Sequence, residues 1–252
     1  MDSISMTPKE LVVLASKLGA ITFYGIPDPF RGMSRAEIKA ALPQIQHQAE
    51  QRGLATMGFD LSFSVNTETA EIISACTMCD GYLTVDAVID GVREPREVLY
   101  RSDCNSILLR DEHDVITLQK VSADEVQDTI CRKYLSEQRE TIPQGQDFRM
   151  PPSLLGELRT MECGGTEKLQ ACGSTPEMAE TILQGLSGKC WYLSVVNVDL
   201  QKKNCASLLL VISDIGMVRL RLENDAGTDF CYASWIGKQE AQAELAKLFQ
   251  RA

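Results

Sequence analysis

This chain of 252 residues has no long hydrophobic run. Its longest, Ala206 to Ile212, has the length of a strand, well short of the roughly 18–20 residues that cross a bilayer. No membrane span is therefore expected. Met1 to Glu10 offers neither a basic start nor an apolar stretch, so no secretory leader is expected and the cytoplasm is the predicted location. Basic clusters are equally scarce. No Lys/Arg run exceeds the pair Lys202-Lys203, and the formal net charge is −10. Phosphate backbones call for concentrated positive charge, so nucleic acid is not an expected partner.

Catalytic vocabulary is thin as well. The two histidines are His47, in the polar stretch Gln44 to Gln51, and His113, in a charged turn. Neither stands beside a Ser or Cys in a nucleophile setting such as G-x-S-x-G. Gly156, Gly164 and Gly165 have neither the spacing nor the preceding strand of a phosphate-cradling loop. The expectation is a protein without a cofactor and without catalytic residues. A carboxylate-dependent enzyme would instead need a deep acidic cleft.

Cysteine is abundant, nine residues in all, and an odd count argues against a fully paired disulfide framework. Most sit in apolar segments, where a free thiol acts as a small hydrophobe. Cys76-Thr-Met-Cys79 has the spacing of a redox or zinc half-site. A redox pair opens a helix, where the dipole stabilises a thiolate, whereas this one closes a helix. Zinc would need a second pair, and Cys163 and Cys172 are too far apart to form it. Structural cysteines and no metal are expected.

What the chain does contain is an order of elements that occurs twice. A helix over about 67–80 leads into strands near 82–90, 97–102, 105–110 and 114–120, and a helix opening at Ser122 runs to about Leu135. A helix from Ser174 or Thr175 leads into strands near 190–199, 205–213, 216–222 and 229–235, and a helix follows Gly237. That spacing marks a duplicated domain-sized unit rather than a solenoid. Leu83, Val85, Ala87 and Ile89 alternate with polar neighbours, the period of a half-buried strand. Short loops between strands require antiparallel pairing.

Ahead of the first unit, Thr7-Pro-Lys-Glu10 and Ser34 with Glu37 form capping boxes, as does Ser122 with Glu125 later. Leu11, Leu14, Ala15 and Leu18 share a helical face that Gly19 can terminate, and Ile21 to Ile26 reads as a short strand. Pro43 inside the second helix predicts a kink or two shorter helices. Residues 136–152, with Pro143, Gly145, Pro151 and Pro152, form the expected linker between an N-terminal half (1–135) and a C-terminal half (153–252) packed as one body. The fold class is α+β: a pseudo-twofold duplicated unit of antiparallel meander sheets flanked by helices.

Two segments are candidates for partner binding. Val92 and Arg93 lie at a hairpin tip in Asp90-Gly-Val-Arg-Glu-Pro95. An exposed apolar residue beside an arginine is a common docking element. The second candidate is a short helix carrying Leu154, Leu155, Leu158 and Met161 between Pro151-Pro152 and Gly164-Gly165. Leu154, Leu158 and Met161 share one line, which core packing can consume, while Leu155 widens the apolar surface. Trp191 and Trp235 read as core residues of strands.

Leu11 to Leu18 with Ile21 to Ile26, then Ala49-Glu-Gln-Arg-Gly-Leu54, Asp60-Leu61, Tyr82-Leu-Thr-Val-Asp86 and Val115 to Val121 resemble the EspG family of cytosolic type VII secretion chaperones, including its relatives in Firmicutes. The resemblance implies a quasi-twofold antiparallel sheet flanked by helical bundles and a non-catalytic adaptor. It implies that the adaptor keeps a helical-hairpin secretion substrate soluble. It also implies contact through the loop between the second and third strands, here Asp90 to Pro95, and through the C-terminal helices near 153–162 and 174–187. The alternative is an acidic immunity protein that neutralises a secreted toxin, which the charge of −10 suits equally. No oligomeric state is fixed by these features.

Overall fold

The computed structural model describes residues 3–250 except 21, 61, 103–105, 113, 136–141, 144, 162 and 226. The chain opens with β1 (Ser3–Met6), which the sequence reading did not anticipate. α1 (Pro8–Lys17) follows, and its capping box forms as expected: Thr7 N–H donates to Glu10 Oε2 at 2.6 Å, and Glu10 N–H to Thr7 Oγ1 at 3.2 Å. Met6, Leu11, Leu14 and Ala15 are buried beneath it, and Gly19 at φ +84° ends the helix.

Residues 22–26 are not a strand. Gly25 adopts φ +81°, which breaks the extended run, and a Cβ there would lie 2.9 Å from Val98 Cγ1. Their carbonyls serve side chains instead of a ladder, Tyr24 accepting from Tyr100 Oη and Gly25 from Arg96 Nη1. The segment is a strap laid on the sheet, with Tyr24 stacked on Tyr82 and Phe23 edge-on to Tyr100.

α2 (Arg35–Gln51) runs through Pro43 as one helix, so of the two expected outcomes, a kink or two shorter helices, the second does not occur. It closes in a Schellman motif, with Gly53 N–H to Glu50 O at 2.8 Å and Leu54 N–H to Ala49 O at 2.9 Å. A small hairpin follows, β2 (Ala55–Met57) with β3 (Phe63–Val65), then α3 (Thr67–Thr77). Gly81 does not cap α3. It begins β4 (Gly81–Ile89), where a Cβ would meet Val198 O of the adjacent strand at 2.6 Å.

The rest of the first meander is β5 (Val92–Arg93), β6 (Arg96–Arg101), β7 (Ser106–Asp111) and β8 (Ile116–Val121). α4 (Ala123–Ile130) continues into one π-helical turn, Cys131–Leu135. Within the stretch read as a linker, Phe148–Met150 forms β9, an edge strand too short to show a period in the sequence. α5 (Pro152–Thr160) and α6 (Gly165–Ala171) come next; α6 escaped the sequence reading because Gly164-Gly165 looked only like a stop. α7 (Pro176–Leu186) is capped by Thr175, whose Oγ1 accepts from Met178 N–H. β10 (Trp191–Asp199), β11 (Asn204–Ile212), β12 (Met217–Asp225) and β13 (Thr228–Ile236) form the second meander, and α8 (Lys238–Gln250) closes the described chain.

All strands but β2 and β3 join one antiparallel sheet in the order β1-β8-β7-β6-β4-β10-β11-β12-β13-β9, with β5 added beside β4. The architecture is α+β, as expected. β4 and β10 pair antiparallel at its centre, from Gly81↔Asp199 to Val88↔Tyr192. Outward from that seam each half contributes a meander and then an earlier-threaded edge strand, β1 on one side and β9 on the other.

One sheet face packs Leu83, Val85, Leu193, Val195, Leu208 and Leu210 against α4, the π turn and α8. The opposite face is covered in two separate groups. α1 and α3 lie over β6 to β8, burying Val98, Tyr100, Ile107 and Leu109. α5, α6 and α7 lie over β11 to β13, burying Val211, Val218, Leu220 and Ala233. The strip between them on β4 and β10, which includes Thr84, Asp86, Val88, Tyr192, Ser194 and Val196, stays half-buried.

α7 approaches the sheet through Gly185, where a Cβ would sit 2.3 Å from Val211 Cγ1. Gly185→Ala should therefore destabilise the protein by about 1–3 kcal/mol in chemical denaturation, because overpacking outweighs the gain in helix propensity. Adding Val211→Ala should relieve part of that loss; strictly additive costs would contradict the close approach.

Candidate partner-binding cleft

Asp90 and Gly91 are the true hairpin tip. Both have positive φ, +49° and +78°, as a two-residue type I′ turn demands, and Val92 and Arg93 lie on the return strand. Val92 is 66% exposed, as the sequence suggested. The tip is braced rather than free. Trp191 Nε1 donates to Asp90 Oδ1 at 3.1 Å, so this tryptophan is only partly core, while Trp235 is buried. A Cβ on Gly91 would lie 3.3 Å from Gly188 O in the turn after α7, which shows how closely the two turns approach.

Below the tip, alternation places Asp86 and Val88 of β4 and Tyr192 of β10 on the half-buried strip. Asp86 organises the arginines there. Arg96 grips it with two parallel bonds, Nε to Oδ1 at 2.9 Å and Nη2 to Oδ2 at 3.0 Å, and Arg93 Nη2 reaches Oδ1 at 3.1 Å. The remaining Arg96 Nη1 donates to Gly25 O of the strap, so all three of its nitrogens are engaged. Hydrogen bonding to Asp86 raises the Arg96 pKa further above its ordinary value.

These residues line a cavity of about 360 Å³ whose far wall is Gly185, Leu186 and Gly188 of α7 and its turn, with Arg159 at the end of α5. That volume lies in the range of ligand and side-chain pockets. The lining holds three arginines and one carboxylate, the reverse of the acidic cleft that a carboxylate enzyme would require.

The structure thus brings the hairpin and α5 to one cavity, the hairpin through the expected Arg93 though not Val92, and α5 through a side chain that was not expected. Leu154 and Leu158 are buried in the core with Leu169, Met178 and Ile182, and Leu155 and Met161 pack partly against it. The helix offers the cleft Arg159, which sequence periodicity passed over because it lies off the apolar line. Within Asp90 to Pro95, read as a loop, Val92–Arg93 forms β5, so the segment is a tight hairpin. His47 is exposed on α2 against Gln51, and His113 lies outside the described residues.

Cys76, in the last turn of α3, and Cys79, just beyond its end, are buried. Burial, and secondarily Cys79, pushes the Cys76 thiol well up; burial takes Cys79 to about 11, with Asp80 adding to it. Among the described residues no three His, Cys, Asp or Glu side chains gather as metal ligands. Cys190 and Cys231 are likewise raised to about 11 by burial, while Cys163 and Cys205 are exposed. A raised pKa keeps a thiol protonated at pH 8, and only the thiolate attacks an alkylating reagent. Mass-resolved alkylation of the native protein at that pH should modify Cys163 and Cys205 first. Cys76, Cys79, Cys190 and Cys231 should react only on unfolding, and early labelling of Cys76 would refute the buried assignment.

No family model matches the chain, and no curated protein matches it by sequence. Among solved structures it is similar to the Mycobacterium tuberculosis type VII secretion system chaperone EspG5, determined in complex with a PE25–PPE41 dimer. The match has a TM-score of 0.61 at 13% identity and covers 98% of this chain and 95% of that one. The likeness establishes a shared fold: an α+β body with a large antiparallel sheet flanked by helices.

Proposed function

We propose that this protein is a non-catalytic cytoplasmic chaperone or adaptor that holds a helical-hairpin substrate of a type VII secretion system. The observation that carries the reading is the cleft itself. It opens on the central strands between two helical groups, and Arg93 of the hairpin and Arg159 of α5 both line it. The likeness to a secretion chaperone supports the same reading. Two halves, 1–135 and 153–252, arisen by duplication and acting as one body, would supply a wide platform without a reactive centre. Arg93 on one wall, and the exposed Val92 beside it on the hairpin, are its proposed contact residues. On the other wall, α5 with Leu154, Leu155, Leu158 and Met161 acts chiefly as a packed support, Leu155 and Met161 being only partly buried.

Co-expression with small helical-hairpin proteins encoded beside this chain should yield a complex that survives affinity purification and gel filtration. Val92→Asp should weaken that complex at least about tenfold, as loss of an apolar anchor does. Its melting temperature should hardly change, because exposed substitutions cost within about 0.5 kcal/mol. Retention of no helical neighbour would overturn the reading, and relief of a neighbouring toxin's toxicity would replace it with immunity.

A further inference from the structure

The cleft's charge runs against that of the molecule. A chain of net charge −10 lines this one cavity with Arg93, Arg96 and Arg159 against the single carboxylate of Asp86. The other acids near the tip are engaged. Asp90 accepts from the Trp191 indole, Glu94 pairs with Lys133, and Asp111 sits across the ladder from Arg96.

The three guanidiniums are not equivalent. Arg96 spends Nε and Nη2 on Asp86 and Nη1 on Gly25 O, which makes it a fixed part of the wall. Arg93 gives only Nη2 to Asp86 and has a side chain 66% exposed, so its other nitrogens face outward. Arg159 is exposed and has no ion pair or hydrogen bond among the described residues. Two arginines from opposite walls therefore offer spare donors to one cavity. Its remaining lining, Val88, Leu186 and the Tyr192 ring, is largely apolar.

Planar guanidinium forks match carboxylates, and charge-assisted bonds of this kind are stronger than neutral ones. Holding Arg93 beside Asp86 also restricts its rotamers before a partner arrives, which lowers the ordering cost of binding. Lysine-rich partners are disfavoured, since they would meet like charge.

We propose that the cleft selects its partner by an acidic turn: one or two carboxylates at the tip of a helical hairpin, received between Arg93 and Arg159, with the flanking apolar residues seated on Val88 and Leu186. This rests on the chaperone reading but specifies the chemistry that distinguishes a client from any other helical protein. The net charge of −10 disfavours acidic segments in general, so a basic cleft adds selectivity.

The test uses the full chain and two probes. The first is a capped helix–turn–helix peptide with Asp-Glu in the turn, compared with its Asn-Gln counterpart. The acidic peptide should bind at least about tenfold more tightly, the scale of one charge-assisted contact, and lose that advantage as salt is raised. Its addition should shift the Arg93 and Arg159 side-chain Nε–H resonances. Arg159→Gln and Arg93→Gln should each remove most of the preference, whereas Arg35→Gln, on α2 outside the cleft, should leave it intact. Equal binding of the two peptides would overturn the proposal.

The second probe is whichever helical neighbour co-purifies. A complex insensitive to Arg159→Glu but broken by Val92→Asp would retain the chaperone reading and reject the acidic-turn rule. If no neighbour co-purifies, the chaperone reading fails, and the peptide comparison still decides whether the cleft prefers an acidic turn.

Discussion

The pairing of β4 with β10 is the constraint on which the remaining geometry depends. It joins two meanders edge to edge, from Gly81↔Asp199 to Val88↔Tyr192, and so converts two small sheets into one. Gly81 permits it, because a side chain there would collide with Val198 O. On one face of the seam Arg101 and Asn197 are both buried. Arg101 donates to Phe249 O and to Asn197 Oδ1, and Asn197 Nδ2 donates to Leu248 O. These groups satisfy the last carbonyls of α8, whose orphaned acceptors would otherwise cost about 1–3 kcal/mol each when buried. The C-terminal helix is thereby locked across the joint, with a cation at the negative end of its dipole.

The other face of the same seam is where covering is incomplete. Each helical group sits mainly over the outer strands of its own half, so the central pair is only partly covered. A cleft on β4 and β10 is therefore a geometric consequence of joining two helix-covered meanders at their uncovered edges. What the cleft recognises is decided by a handful of side chains on its rim. This separation fits a chain that keeps the fold of a secretion chaperone at 13% identity. Apolar period and turn chemistry preserve the platform, while arginines at positions 93, 96 and 159 give it a particular chemistry.

Much of the fold was legible because its signals are local. Three capping boxes formed as read, at Thr7, Ser34 and Ser122. The alternation of Leu83, Val85 and Ala87 placed the core face of β4 correctly. What failed was short or non-local. The edge strands β1 and β9 have four and three residues, too few for a period to stand out. Residues 22–26 have strand composition, yet Gly25 turns them into a strap whose carbonyls bond to side chains far along the chain. The candidate site was half legible. An apolar residue with arginine in a hairpin can be seen in sequence, but the meeting of Arg93 with Arg159 is made by the seam, and no spacing rule reports it.

A partner held by this fold is proposed to engage the strip at the seam, between the hairpin and the turn after α7. Hydrogen exchange followed by mass spectrometry, on the free chain and on its complex with a co-purified helical partner, tests this most directly. Binding at the seam should slow exchange in peptides covering 90–96 and 186–192, with α2 and the β2–β3 hairpin unchanged. Protection confined to α2 or to the β2–β3 hairpin, with the seam peptides exchanging as in the free protein, would contradict it.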